Sequence, residues 1–278
     1  MKDFLKRSSL LHFAARAPVY YRRLLSERQM WHGRRLGDTI FPLPGVEIRC
    51  PDHAIAHSIF ESHAFEYETN GELKGFVRLS EGCSSLLDLG ASGGFFSALF
   101  VASRQGPCRV ASVEPDPNSI PALQSCRKKN LREGVSWDIR EVAVGGREEG
   151  TLKFVSEVNG YGLSLVRTEG NVMYIEAVPF HALCESLGFV PNLIKSDIES
   201  MEYEVVDGGR EFLGRHKPRL HLELHSTLLE KRQKDPIQVM RWLFDLGYRA
   251  LGRQSASWAD LKSTIDTSRT QRFDLVAA

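Results

Sequence analysis

Seven side chains of this sequence carry the groups that acid–base and charge chemistry needs: Asp88, Glu114, Lys195, Asp197, Glu199, Glu223 and His225. Each stands at the end of a short, mostly apolar run such as Ser85–Leu87, Arg109–Val113, Leu193–Ile194 or Arg219–Leu224. Five carboxylates, an ammonium and an imidazole gathered this way can hold a cationic or polyhydroxylated ligand and exchange protons with it. Each alone could instead cap a helix or pair on the surface. Their common position at strand ends is what points to a site.

The elements that would position them are led by Ser85 to Phe96, SLLDLGASGGFF. The apolar opening predicts a strand buried on both faces, and Phe95 to Ala102 predicts a helix. Between them lie Gly90, Ser92, Gly93 and Gly94, a turn at a helix N-terminus that suits ligand binding. A dinucleotide turn would read G-x-G-x-x-G. Here Asp88 precedes G-x-x-G-G, and an acidic residue in that place suits a ligand with a cationic end. S-adenosylmethionine, with its ammonium, sulfonium and ribose, fits. A dehydrogenase-like turn and a purely structural one remain open. Glu114, followed by Pro115, ends the second strand and can accept hydrogen bonds from both ribose hydroxyls. Ala143 lies near the end of the third strand, Val135–Val144, beside the expected adenine. Glu61, His63, Glu66 and Tyr67 are either a cover for the cofactor or an ordinary polar face.

Further along, Leu193–Glu199 and Arg219–Leu224 predict two more strands of the same sheet. Tyr248–Leu251 and Phe273–Ala277 predict a final antiparallel pair. Thr151–Val155 and Val172–Val178 predict an inserted hairpin around the glycine-rich Asn159–Gly162. Phe41–Gly45 reads as a linker or turn. The fold expected is α/β, with a doubly wound, mostly parallel sheet of seven strands. Residues 1–45 form a basic helical extension and residues 46–278 the Rossmann-like domain.

The chain of 278 residues is 42% hydrophobic and 26% charged, with a net charge of +1. Such a balance excludes disorder and argues against a dedicated nucleic-acid partner. Residues 1–35 are the exception: nine basic side chains face only Asp3 and Glu27. Two basic amphipathic helices there would touch an anionic membrane or a protein partner, or pack on their own domain or a homodimer mate. Five cysteines without a C-x-x-C pair argue against disulfides and zinc and for the cytoplasm, with peripheral membrane contact open through residues 1–35.

The motifs together resemble the FkbM-type family of S-adenosylmethionine-dependent methyltransferases. The resemblance rests on Leu86–Ser97, Ser112–Asn130, Val142–Gly146, Gly150–Phe154, Leu193–Gly209 and Leu220–His225, in the family's order. The K-x-D-I-E block after E-P-x-P is the most discriminating. Two departures stand out. Asp197-Ile198-Glu199-Ser200-Met201-Glu202 replaces a D-V-E-G-A-E type sequence, and His181 stands where the family has an aspartate. The resemblance implies a class I methyltransferase fold, S-adenosylmethionine as cofactor, and O-methylation of a sugar, glycan or natural-product hydroxyl. On that footing Asp88, Gly90, Ser92, Gly93, Gly94, Phe95, Glu114, Pro115, Ala143 and Asp197 would bind the cofactor. His225, whose unperturbed pKa of about 6.5 suits a general base, leads the catalytic candidates, followed by Asp197. Glu199 and Glu223 would orient acceptor hydroxyls, and Lys195 would neutralise the carboxylates. No complete metal-ligand set is evident. A non-catalytic scaffold of a glycan-assembly complex and a nicotinamide-dependent oxidoreductase are the alternatives.

Overall fold

The computed structural model describes residues 35–36, 38–43, 45–53, 56, 59–61, 63, 71–145, 148–156 and 163–277. Most of the basic extension, Glu66, Tyr67 and the glycine-rich Asn159–Gly162 therefore lie outside the described residues. The chain opens with β1 (Arg35–Leu36), β2 (Thr39–Leu43) and β3 (Val46–Arg49), an antiparallel three-stranded sheet. Phe41–Leu43, read above as part of a linker, thus belongs to a strand. Pro42 is tolerated there because the β2–β3 register shifts between Ile40 and Leu43, and β1 pairs no further than Ile40.

Then come α1 (Glu72–Ser80), β4 (Ser85–Leu89), α2 (Phe95–Ala102), β5 (Cys108–Val113), α3 (Ile120–Asn130) and β6 (Val135–Arg140). The strands β7 (Ala143–Gly145), β8 (Gly150–Ser156), β9 (Leu163–Ser164) and β10 (Asn171–Pro179) follow. The chain continues through α4 (Phe180–Ser186), β11 (Leu193–Ser196), α5 (Glu202–His216), β12 (Arg219–Leu224), α6 (Ser226–Lys231) and α7 (Pro236–Asp245). It closes with β13 (Tyr248–Ala250), α8 (Trp258–Ser263) and β14 (Gln271–Ala277).

The main sheet has seven strands in the order β13-β14-β12-β11-β4-β5-β6. Only β14 runs antiparallel to its neighbours. The reversal between β4 and β11 is the topological switch point, where a ligand crevice opens beyond the strand ends. Every residue of β4 is buried, as a central parallel strand requires. Its alternate side chains serve two cores. Leu86 packs with Phe76, Phe96, Phe100 and Trp137, whereas Leu87 and Leu89 pack with Phe180, Val205, Leu243 and Phe273. Helices cover both faces, and α2 is buried nearly all round because it lies between the main sheet, α3 and β3.

The expected third strand is shorter than its apolar alternation suggests. β5 ends at Val113 opposite Arg140, so the chain beyond has no ladder left in that sheet. Ala143–Gly145 instead pairs parallel with Ala177–Pro179 of β10. The hairpin of β8 and β10 joins it in a separate four-stranded sheet, β7-β10-β8-β9, rather than in the main one. All five cysteines are buried thiols. Among the described residues no helix is long and apolar enough to cross a membrane.

Candidate functional site

At the switch point a cavity of about 230 Å³ opens between the turn after β4, the ends of β5 and β11, and the second sheet. Gly90, Ser92, Glu114, Pro115, Asp197 and Glu199 supply its polar and backbone wall. Val113, Val142, Val144, Phe154, Leu163 and Met201 supply its apolar wall. Of the expected cofactor contacts, Gly90, Ser92, Glu114, Pro115, Ala143 and Asp197 line this cavity.

Asp88, Gly93, Gly94 and Phe95 do not line it. Asp88 is wholly buried beneath the turn. Ser97 Oγ donates to its Oδ2 at 2.6 Å and also bonds Ser112 Oγ at 2.7 Å, which Trp137 Nε1 reaches at 2.8 Å. Burial pushes the Asp88 carboxyl up, and Lys195 nearby only partly offsets this. Asp88 is therefore a brace under the turn. Gly94 serves packing: a Cβ there would fall 2.8 Å from Leu123 of α3. Phe95 turns away from the cavity, edge-on to Phe60 and stacked on His63 at 4.7 Å. Gly90 meets protein as well as void, since a Cβ would lie 1.8 Å from the carbonyl oxygen of Asp197.

Glu114 is the polar residue of this half. Its Oε2 accepts the Ser92 N–H at 2.7 Å and its Oε1 the Asp116 N–H at 2.8 Å. Ser92 reaches it from a left-handed conformation, φ 49°. Burial pushes the Glu114 carboxyl up to about 7 despite those two bonds. A ligand that donates hydroxyls to it would return it to the ionised form.

The other half is built from β11, β12 and the loop after each. Lys195 Nζ donates to the Gly90 carbonyl at 3.0 Å and pairs with Asp197 at 3.3 Å and Asp88 at 3.7 Å. Burial alone would lower its pKa, but the two carboxylates outweigh burial and raise it. Asp197, Glu223 and His225 come together, one ligand atom of each lying within 4.8 Å of the others. A metal ion could use that grouping, but here cations already answer it. Arg272 pairs with Glu223 at 3.1 Å, and Lys195 with Asp197.

His225 is itself one of those cations. Its Nδ1 lies 2.8 Å from Glu202 Oε1 and its Nε2 3.6 Å from Asp197. Burial would lower its pKa, but the Glu202 bond and the charges of Glu202, Asp197 and Glu199 carry it up to about 9. That shift favours the imidazolium near neutral pH and weighs against His225 as the base. Burial also raises the Asp197 carboxyl, but Lys195 and His225 overcome it and the net shift is down. Glu223 goes the other way, pushed up to about 7 by burial and by Asp197. Glu199, whose charge also acts on His225, is exposed and lines the cavity.

Two consecutive residues of the loop after β11 adopt positive φ, Glu199 at 51° and Ser200 at 86°. Ser200 occupies the place of the resembled family's glycine. It is locked on both sides: Glu202 accepts its N–H at 3.3 Å, and Arg232 donates to its carbonyl. Arg232 in turn forms a bidentate pair with Glu204 at 2.8 and 3.1 Å. Glu202 stands in the family-type block without an assigned role, and Arg232 carried no sequence signal. Glu202 reads as an ordinary acid in a first helical turn, and only the fold sets it against His225.

A family model described as the methyltransferase FkbM domain matches residues 88–250. No curated protein matches the chain. Among solved structures, an FkbM methyltransferase from Methylobacillus flagellatus KT is 17% identical, with 79% of this chain and 53% of that one covered and a TM-score of 0.49. This chain thus spans about half the length of that protein. A putative O-methyltransferase from Klebsiella pneumoniae is 13% identical over 76% of this chain and 81% of its own, TM-score 0.41. An O-methyltransferase from Bacillus cereus in complex with SAH is 13% identical with the same coverage, TM-score 0.42.

Proposed function

The chain belongs to the FkbM methyltransferase family, and from that premise we propose that it methylates a hydroxyl of a sugar, glycan or natural-product acceptor with S-adenosylmethionine. The observation that carries this reading is one wall shared by two chemistries. Asp197 lines the cavity that holds Glu114 and also belongs to the cluster with Glu223 and His225.

The cavity suits the cofactor. Glu114 is a buried carboxylate with lone pairs left for a diol, and the apolar wall suits an adenine. The carboxylates of Asp197 and Glu199 suit a cationic end. When bound, the cofactor supplies an electrophilic methyl group. The protein must bring an acceptor oxygen to it in line and remove a proton. Glu223 takes the proton in this proposal, because burial beside Asp197 pushes its carboxyl up to about 7, near working pH. His225 holds its positive charge between Glu202 and Asp197 and fixes the Asp197 carboxylate. Lys195 ties that carboxylate to the Gly90 turn. The buried thiols agree with a reducing compartment, the cytoplasm.

Calorimetric titration with S-adenosylmethionine, S-adenosylhomocysteine and NAD tests the reading. Micromolar binding of the first two and none of NAD is expected. Binding of NAD alone would replace the methyltransferase reading with an oxidoreductase one.

A further inference from the structure

The antiparallel β14 brings its first residues to the same edge of the sheet as the cluster around Asp197. Gln271 pairs with Leu224 and Arg272 with Glu223, at the carboxyl end of β12. The turn after β13 carries Arg253 to this edge as well. With the N-terminus of α1 they enclose a second cavity, of about 330 Å³, onto which Arg253, Arg269 and Arg272 all face. Glu72, His221 and Asp274 complete its charged lining.

The carboxylates here are already answered. Arg272 lies between Glu72 at 3.0 Å and Glu223 at 3.1 Å. His221 lies between Asp274 at 2.7 Å and Glu72 at 3.8 Å. Arg269 pairs with Asp266 at 2.8 Å. Arg253 differs: among the described residues no carboxylate stands at ion-pair distance from it. Its guanidinium donates to the carbonyls of Thr264 at 3.1 Å and Arg272 at 2.9 Å, and lies over the Phe273 ring at 4.2 Å. Two carbonyls and a ring thus fix the plane of a cation that has further N–H groups to offer. Burial, and then the neighbouring Arg269, weaken its hold on the proton, and the Asp274 carboxylate offsets this only in part. Like charges held together at the wall of a void are stabilised by an anion between them.

We propose that this second cavity is a subsite for an anionic group of the acceptor, a carboxylate or a phosphate, with Arg253 as its anchor and Arg269 and Arg272 beside it. The inference rests on the methyl-transfer reading and narrows the acceptor to an acidic sugar or polyol. Arg272 makes the connection: it touches Glu223, whose carboxylate meets Asp197 and His225 within 4.8 Å.

The test is calorimetric titration of the full chain with glucuronate, glucose 6-phosphate and glucose, with and without S-adenosylhomocysteine. At least one anionic sugar is expected to bind tenfold or more tightly than glucose, with affinity that falls as salt rises. Preference for glucuronate would assign a carboxylate, and preference for glucose 6-phosphate a phosphate. Arg253→Met should weaken that binding at least tenfold while leaving the affinity for S-adenosylhomocysteine unchanged. Arg269→Met, at an exposed position that folding does not depend on, should weaken it about threefold. Equal binding of glucose and the anions, absence of any sugar binding, or unchanged anion affinity in both variants would overturn the subsite. If S-adenosylhomocysteine binds and no sugar does, the subsite falls and the methyl-transfer reading stands. If an anionic sugar binds and S-adenosylhomocysteine does not, it is the methyl-transfer reading that falls.

Discussion

The two sides of the switch point are built on different principles. Around β4 and β5 the polar groups are braced by neutral hydrogen bonds: Ser97, Ser112 and Trp137 under Asp88, and backbone N–H groups on Glu114. Around β11, β12 and β14 a chain of ion pairs runs from Lys195 and Asp197 through His225 and Glu202 to Arg272, Glu223 and Glu72. Backbone donors present the same face whatever the neighbouring side chains, which suits a ligand of fixed structure. A mesh of side-chain charges changes with single substitutions, which suits recognition that can be retuned.

Lys195 is the tie between the sides, so its loss has the largest expected effect. Lys195→Met leaves the buried Asp88 without a cation and Asp197 with His225 alone, a loss of about 3–5 kcal/mol. A drop in the urea midpoint with unchanged slope would register it. A midpoint close to wild type would show that the two sides are independent.

Next in size is a pH effect that separates them. If ribose hydroxyls need the ionised Glu114 carboxylate, whose pKa is pushed up to about 7, S-adenosylhomocysteine should bind about tenfold more tightly at pH 8 than at pH 6. Stability moves the other way. Glu114 and Glu223 hold protons in the folded state that the unfolded chain releases from about pH 4.5, and His225 does so from about 6.5 to 9. The melting temperature should therefore fall as pH rises from 5 to 9. A flat binding profile would remove Glu114 from the ligand.

The smallest effect belongs to the loop between the sides. Ser200→Gly relieves a φ of 86° and should stabilise by about 1 kcal/mol, raising the melting temperature by a few degrees. A decrease would mean that the hydroxyl contact to Arg232 outweighs the backbone strain.

Much of this architecture was legible in the residues. The strands at Ser85, Arg109, Leu193 and Arg219 announce themselves because buried parallel strands are nearly uniform apolar runs. Glu114, Asp197, Glu223 and His225 could be placed because strand ends are fixed by those runs. What the sequence does not encode is which side chain faces protein and which faces void. Asp88 reads as a ligand contact because its position along the chain is right, yet the strand buries it. His225 reads as a base because its partner Glu202 lies on another element, 23 residues away. Val142 to Val144 reads as the tail of a strand because alternation continues after the partner strand has ended. Arg253 and Arg272 carry no pattern of their own: the turn after β13 and the reversal of β14 bring them to one cavity.

The five cysteines lend themselves to a use unrelated to chemistry at the switch point. Each is buried, and burial pushes the thiols of Cys83, Cys108, Cys126 and Cys184 up, away from the reactive thiolate. An alkylating reagent can reach them only when the surrounding structure opens. They are spread over the turn before β4, β5, α3, α4 and the segment after β3, so the order in which they are labelled would time the opening of each region. The protein thus carries its own set of clocks for local unfolding, installed by nothing more than the packing of small sulfur side chains.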